Sequence, residues 1–311
     1  MTEAFVAGRV HARAPGKINV FFAVGGADAT GYHEVASAYQ AVSAYEDVWA
    51  TESDAFTVAV TGAVDVSGVP TDESNLAVRA ARLLAEYIGW DDGVHLDIHK
   101  TVPVAGGMGG GSADAAAALL ACDALWGAGL SAHDLQRLGA RLGADVPFAL
   151  MGGTAVGTGR GDQLSPALAR GRFDWVLVTS DQGMSTPAVY ARLDEYRASG
   201  SLQALPVPTR PTVRPTVLQA LRQGDPRLLA GASHNDLEHA ALLLRPELDD
   251  VIRLGLDQGA MTGLVSGSGP TVAFLVDHEH AALDLQVVLS AAGYETMHVH
   301  GPVPGARVLA S

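Results

Sequence analysis

Five of the six residues from Gly106 to Gly111 are glycine, within the run Pro103-Val104-Ala105-Gly106-Gly107-Met108-Gly109-Gly110-Gly111-Ser112-Ala113. Before it, Val94 to His99 alternates apolar and polar residues as a half-buried strand does. After it, an alanine-rich stretch reads as a helix from about Ser112 to Trp126, stopped by Gly127. A loop without side chains leaves its backbone N–H groups uncovered, and the following helix points its partly positive N-terminus at the same place. Together they make an anion cradle suited to a di- or triphosphate. A flexible linker or a tight turn without ligand is the plainer reading, but linkers seldom join a strand straight to a long helix. Ser112 stands where its hydroxyl either caps the helix or touches a phosphate-bound Mg2+. Two other phosphate loops are excluded by spelling. A P-loop needs G-x-x-x-x-G-K followed by Ser or Thr, and Gly16-Lys17 is followed by Ile18. A dinucleotide fold needs G-x-G-x-x-G, and Gly107-Met108-Gly109 is followed at the third position by Ser112, which argues against a nucleotide-dependent oxidoreductase.

Phosphoryl transfer to an alcohol needs, beside a cradle, a cation for the developing charge and a carboxylate near the attacking hydroxyl. Of the 20 basic residues only Lys17 and Lys100 are lysines. An ammonium is a compact point charge with a tunable pKa, which a guanidinium is not. Lys17 stands among Ile18, Val20, Phe21 and Phe22 rather than in a surface-like stretch. The carboxylate candidate is Asp145, a single acid in the apolar segment Leu142-Gly143-Ala144-Asp145-Val146-Pro147-Phe148. A carboxylate buried there needs a cation, whereas a turn or helix-end hydrogen bond is the alternative. Leu264-Val265-Ser266-Gly267-Ser268-Gly269-Pro270-Thr271 is a small-residue turn between two strands: a plain β-turn, or a close backbone approach to a phosphate or to the first loop. Asp277-His278-Glu279-His280 reads as a solvated helix start rather than a metal site, and Arg160-Gly161-Asp162 as a turn. His33-Glu34 lacks the second histidine of a metalloprotease helix. The stripe Ala115, Leu119, Cys122 reads as core.

The 311 residues suffice for two packed domains, and 48% hydrophobic against 17% charged residues is a folded composition. A formal net charge of −14 repels phosphate backbones, so neither nucleic-acid nor membrane binding is expected. One cysteine, Cys122, excludes an internal disulfide framework and a cysteine-based zinc cluster. Met1-Thr2-Glu3-Ala4-Phe5 carries an acid where a secretion signal wants a base, which points to a cytoplasmic protein. Along the chain, Lys17 to Val24, Val35 to Val42 and Phe56 to Val60 read as strands, and Asn75 to Ile88 as a helix. Ala132 to Leu142 reads as a helix capped by Ser131. Thr154 to Pro166 is glycine-rich and turn-like, and Trp175 to Thr179 is a buried strand. Pro206, Pro208, Pro211 and Pro215 mark an extended surface excursion, and helices are expected near Pro226 to Leu244 and Pro246 to Gln258. The chain closes with strands at Gly263 to Ser266, Thr271 to Val276 and Thr296 to His300, and a helix at Ala281 to Ala292. Mixed strands and helices without a repeat give an α+β fold, expected as two domains, 1–168 and 169–311.

Ala14-Pro15-Gly16-Lys17-Ile18-Asn19-Val20, the loop Gly106 to Ala113 and Val265-Ser266-Gly267-Ser268-Gly269 resemble, in order, the three motifs of the GHMP kinase superfamily. Gly31-Tyr32-His33-Glu34, the expanded glycine loop, Gly143 to Phe148 and Asn235-Asp236-Leu237-Glu238 are similar to members acting on 4-diphosphocytidyl-2-C-methyl-D-erythritol in the non-mevalonate isoprenoid route. The resemblance implies an N-terminal ribosomal-protein-S5-domain-2-like α/β domain, a ferredoxin-like C-terminal domain and an active site in the cleft. It implies ATP-dependent phosphorylation of that substrate's 2-hydroxyl by a monomer or homodimer, with Mg2+ as the ATP counter-ion and no metal ligand assigned. It places Asp145 on the catalytic aspartate, Lys17 on its partner lysine and Pro103 to Ala113 on the ATP-binding segment. It places Asn19, Tyr32, His33 and Thr186 on the substrate side, with Tyr190 as the aromatic that stacks on cytosine. Gly16, Met108 and Val265 replace the family's commoner Ala, Leu and Met, and Ala29-Thr30 stands where a basic residue and Asp are usual. A sister kinase for another small alcohol and a catalytically dead member are the alternatives. Tyr32-His33 argues against the first, and the intact Lys17, Asp145 and glycine loop against the second.

Overall fold

The computed structural model describes residues 8–28, 31–180, 182–199, 207 and 210–309. The first lobe is built on a long antiparallel pair, β1 (Arg9–Ala27) and β2 (His33–Ser53). β3 (Thr57–Gly62), α1 (Leu76–Ile88) and β4 (Gly93–Lys100) follow, with β3 parallel to β4 and β4 antiparallel to β2. The glycine run then leads into α2 (Gly110–Leu125), α3 (Ala132–Leu142) and α4 (Val146–Met151). α2 is apolar nearly all round, with Ala113, Ala115 to Leu119, Ala121 and Cys122 fully buried. Such a helix is stable only when enclosed, and alanine lets α1, α4, β1 and β2 approach it closely. Asn75 caps α1 by accepting from Ala77 N–H, and Ser131 caps α3 by accepting from Asp134 N–H, the latter as its sequence position predicts.

Thr154 to Pro166 is not merely turn-like. β5 (Thr154–Thr158) and β6 (Gln163–Pro166) form a hairpin there, and β5 pairs along β2. Strand pairing overrides the weak local propensity of a glycine-rich segment.

The second lobe contains β7 (Phe173–Thr179), α5 (Thr186–Ala198), α6 (Pro215–Gln223), α7 (Pro226–Ala232), β8 (His234–Asn235), α8 (Glu238–Leu244) and α9 (Glu247–Asp257). β9 (Thr262–Val265), β10 (Val272–Val276), α10 (Glu279–Ala291) and β11 (Glu295–Gly301) follow. The antiparallel sheet runs β11-β7-β10-β9, the ferredoxin-like strand order. One face, with Val176, Val178, Phe274 and Val276, packs on α9 and α10 residues such as Val251 and Leu285. The other, with Trp175, Leu177 and Leu275, packs against Ile18 and Phe21 of β1 and Leu221 of α6, so one core runs through both lobes. Trp175 Nε1 also donates to Gln40 Oε1 across the lobes at 3.0 Å. The last strand, β12 (Arg307–Leu309), returns to pair antiparallel with β1 in the first sheet, which β8 also joins, parallel to β1.

The proline-rich excursion needs correction at its described end. Pro211 is buried, with its ring 3.3 Å from where a Cβ on Gly25 would lie, and Pro215 opens α6. Pro206, Pro208 and the Ala29-Thr30 pair lie outside the described residues.

Candidate active site

The glycine run joins the end of β4 to the start of α2, as its spelling predicts. The helix begins two residues earlier than expected, at Gly110, and its N-cap is Gly109 in the left-handed region at φ 72°. Ser112 therefore lies inside the first turn and does not cap the helix; the residue lines the cavity over the loop. That cavity, of about 400 Å³, is bounded by the loop and by Val69, Pro70, Asn75 and Lys100. The loop is anchored at Met108, whose side chain is fully buried and whose carbonyl accepts from Lys17 N–H at 2.9 Å. Ala105 holds φ 56°, the one positive φ outside glycine among the described residues, at a cost of about 1–2 kcal/mol.

The small-residue segment after β9 packs directly on this loop. A Cβ on Gly107 would lie 3.0 Å from Gly269 O and 3.1 Å from Ser266 O. The close-approach reading of Ser266 to Gly269 therefore holds, and the approach is made by a hydrogen-bonded turn in which Gly269 N–H donates to Ser266 O at 3.0 Å. Asn235 Nδ2 donates to Val265 O and Gly267 O at 2.7 Å each, and Glu238 accepts from Val265 N–H at 2.9 Å. The Asn235 to Glu238 segment thus holds the turn in place. Ser266 Oγ in turn accepts from Asn19 N–H at 3.2 Å.

Lys17 and Asp145 come together at the end of the glycine loop. Lys17 Nζ lies 3.9 Å from Asp145 Oδ2 and donates to Asn19 Oδ1 at 2.8 Å. A Cβ on Gly109 would lie 3.4 Å from Lys17 Cγ and 3.7 Å from Asp145 Oδ2, so the loop backbone passes beside the pair. Asn19 is itself fixed by donating to Ser37 Oγ at 2.7 Å. Asp145 is not the buried carboxylate its apolar neighbours suggest. It holds the N-cap position of α4 without a side-chain capping bond, and its side chain is 32% exposed. A carboxylate so placed is open to a reactant.

A second cavity, of about 460 Å³, gathers Tyr32, His33, Thr186 and Tyr190 with Arg160 and Asp194. The rings of His33 and Tyr190 stand 5.0 Å apart, and His33 Nε2 lies 2.8 Å from Asp194 Oδ1, which orients the imidazole. The Arg160 guanidinium sits 3.8 Å over the Tyr32 ring. Thr186 Oγ1 meets Ser268 Oγ at 2.9 Å, tying this cavity to the segment that packs on the glycine loop. Aromatic walls with a few fixed polar groups suit a planar heterocycle.

The N-terminal domain model of the GHMP kinases matches residues 75–153, and the C-terminal model matches residues 217–295. A 4-diphosphocytidyl-2-C-methyl-D-erythritol kinase from Clavibacter michiganensis subsp. michiganensis is 58% identical over 300 residues, covering 96% of each chain. The chain belongs to this family of GHMP kinases. A crystal structure of 4-(cytidine 5'-diphospho)-2C-methyl-D-erythritol kinase aligns over 93% of this chain and 98% of its own, at 30% identity and TM-score 0.75. Homoserine kinase from Cytophaga hutchinsonii shares the fold at 20% identity and TM-score 0.71, over 99% of this chain and 100% of its own.

Sequence reasoning missed two residues of this GHMP kinase's aromatic cavity. Arg160 does lie in the turn between β5 and β6, yet its side chain crosses to Tyr32. Asp194 carried a signal: Thr186, Tyr190 and Asp194 recur every fourth residue along α5 and so share one helix face. The second lysine was also passed over. Lys100 is buried between Glu46 and Asp114, its Nζ 2.7 Å from a carboxylate oxygen of each.

Burial, with Asp114 beside it, pushes the Glu46 carboxyl up to about 8 despite the opposing pull of Lys100. The folded chain thus holds a proton that the unfolded chain releases above the ordinary value of 4.5. The stability this group contributes is full below 4.5 and is lost as pH rises toward about 8. Thermal denaturation at constant ionic strength should show the melting temperature falling across that window, and Glu46→Gln, which cannot ionise, should flatten the fall. An unchanged slope in the variant would assign the effect to another group.

Proposed function

We propose that the cleft transfers the γ-phosphoryl group of ATP to the 2-hydroxyl of 4-diphosphocytidyl-2-C-methyl-D-erythritol. The meeting of Lys17, Asp145 and the backbone of Gly109 carries this reading, because it puts a cation, a carboxylate and a phosphate cradle at one point. ATP lies with its phosphates on Pro103 to Ala113 and the N-terminus of α2. The substrate hydroxyl oxygen bonds to the γ-phosphorus as the bond to the β,γ-bridging oxygen breaks, and ADP leaves. Asp145 accepts the hydroxyl proton late, as transfer proceeds. A tertiary alcohol is a hindered and very weak acid, so orientation and charge neutralisation do more than deprotonation. Lys17 favours ionised Asp145 and offsets charge at the reacting oxygen.

Tyr32, His33, Thr186 and Tyr190 receive the cytosine end, with Tyr190 stacking on the base, and Asn19 holds Lys17 beside the substrate. The described residues contain no group of three acids, histidines or cysteines that would hold a metal. Mg2+ would come as the counter-ion of ATP, and Ser112, which lines the cavity, would offer it a hydroxyl ligand. Mg2+ neutralises phosphate charge when bound. We place the two domains at residues 1–168 and 169–311, with β8 and β12 of the second stretch joining the first sheet. We propose a cytoplasmic monomer or homodimer without nucleic-acid or membrane partners. The net charge of −14 supports the reading without nucleic-acid partners, since it repels phosphate backbones. No helix among the described residues is long and apolar enough to cross a membrane.

Thermal-shift titration with CDP, the full cytidyl substrate and an ATP analogue tests the reading, with homoserine and mevalonate as controls. A ligand at ~100 times its Kd stabilises by about 2.7 kcal/mol. The cytidyl compounds should shift the protein and the controls should not. Tyr190→Ala should abolish the cytidyl shift and keep the nucleotide shift. A shift by the ATP analogue alone would leave a kinase for another alcohol, and no shift at all would leave a dead member of the fold.

A further inference from the structure

Lys100 takes no part in the chemistry above, yet it is the more buried of the two lysines, 2% exposed against 9% for Lys17. It is the last residue of β4, and Asp114 is the fifth residue of α2. The whole glycine loop runs between them, and their side chains meet at 2.7 Å. Glu46 of β2 completes the arrangement from below. Its Oε1 accepts from Lys100 Nζ at 2.7 Å, and its Oε2 accepts from Thr101 N–H at 3.0 Å. A Cβ on Gly110 would lie 2.9 Å from Glu46 Oε1, so the same carboxylate touches the loop where it begins and where α2 starts. The side chains of Glu46, Lys100 and Asp114 are 0%, 3% and 5% exposed. Burying charges this deeply rarely adds net stability, because desolvation opposes the attraction. Asp114 Oδ1 also lacks a hydrogen-bond partner among the described residues. What the cluster does supply is geometry: it joins the two ends of a loop whose glycines would otherwise sample many conformations.

We propose that Glu46, Lys100 and Asp114 form a clasp that closes the base of the glycine loop and holds its N–H groups in the arrangement that binds nucleotide phosphates. The three are positioning residues, and the proposal rests on the reading of this loop as the ATP site. A slack loop must be ordered by each incoming nucleotide, so opening the clasp weakens nucleotide binding and leaves the cytidyl cavity, built on other elements, untouched. The clasp also gives a reason for a lysine at position 100, where Lys17 is the only other lysine among the 20 basic residues. One compact ammonium reaches two carboxyl groups at 2.7 Å in a space that a planar guanidinium does not fill in the same way.

The test compares the full-length wild type with Asp114→Asn and Glu46→Gln, both close to isosteric. ADP affinity by calorimetry, KM for ATP, KM for the cytidyl substrate, kcat and melting temperature are measured on the same preparations. Asp114→Asn should raise KM for ATP and the ADP Kd about tenfold, which is ~1.4 kcal/mol. KM for the cytidyl substrate and kcat at saturating ATP should change much less, and Glu46→Gln should act in the same direction, because both carboxyl oxygens of Glu46 accept hydrogen bonds and an amide has a single acceptor oxygen. If Asp114→Asn does not fold, Glu46→Gln carries the comparison. ADP affinity within twofold of wild type in a folded variant overturns the clasp. So does a uniform loss in both KM values, kcat and melting temperature, which would mark a merely structural cluster. A wild type that binds ADP without turning over the cytidyl substrate would sink the substrate reading instead and leave the calorimetric comparison to judge the clasp. A wild type that binds no nucleotide would overturn both.

Discussion

Asp145→Asn is expected to lower kcat by about 10²- to 10⁴-fold, the range a positioned proton acceptor supplies, with little change in ATP affinity. Asparagine keeps the size and polarity of the side chain at the N-cap of α4, so the fold should not suffer; no capping bond is lost because Asp145 makes none. What disappears is the acceptor for the hydroxyl proton and the charge that faces Lys17 Nζ at 3.9 Å. In the proposed reading ATP lies on the loop backbone and α2, which this substitution leaves alone. Steady-state kinetics with both substrates varied distinguishes the possibilities. Near-normal kcat would refute the role of Asp145, and a rise confined to either KM would make it a binding residue. Lys17→Met should follow the same pattern, because it removes the cation from the same point and leaves Asn19 Oδ1 without its donor.

Gly107→Ala should raise KM for ATP at least tenfold and lower the melting temperature. Gly107 sits at φ 75°, where any residue with a Cβ loses about 1–2 kcal/mol. The added methyl would also lie 3.0 and 3.1 Å from the carbonyl oxygens of Gly269 and Ser266. Neither oxygen is on a flexible side chain. Ser266 O already accepts from Gly269 N–H at 3.0 Å, and Asn235 holds the same turn through Val265 and Gly267. Either the loop or the turn must shift by a few tenths of an ångström. Because Ser266 Oγ accepts from Asn19 N–H, displacement of the turn reaches Lys17, and kcat should fall as well. Gly111→Ala is the stability control: no atom lies within 4 Å of its Cβ position, and the residue is helical, so its melting temperature should hold or rise slightly. If Gly107→Ala behaved the same way, the packing of the third motif on the loop would have no bearing on nucleotide binding.

Much of the site was legible because its chemistry needs residue types that stand out locally. Glycines between a strand and a helix, a lysine in an arginine-rich chain and a carboxylate in an apolar segment are each visible within ten residues. The aromatic cavity was legible only in part. Tyr32 and His33 are adjacent in sequence, and Thr186 and Tyr190 are one helical turn apart, but Arg160 reads as an ordinary turn residue until β5 pairs with β2 and brings it over Tyr32. Asp145 reads as buried from its neighbours, and is only half-buried because the short helix α4 turns Val146 and Phe148 inward while the Asp145 side chain lies beside Lys17.

By itself the sequence determined the local elements: the glycine loop and its helix, the helix α1, the helix α3 with its Ser131 cap, and the strands and helices after β7, and it offered Lys17 and Asp145 as candidates for the chemistry. These follow from backbone preferences and apolar periodicity that act over a few residues. Only the tertiary structure decided that Lys17 of β1 meets Asp145 of α4, that Lys100 and Asp114 close the glycine loop over Glu46, and that β12 returns to the first sheet. Those pairings depend on which apolar faces bury one another. The face that Trp175 and Leu275 share with Ile18 and Phe21 seats the second lobe against β1, and with it the Ser266 turn against the glycine loop.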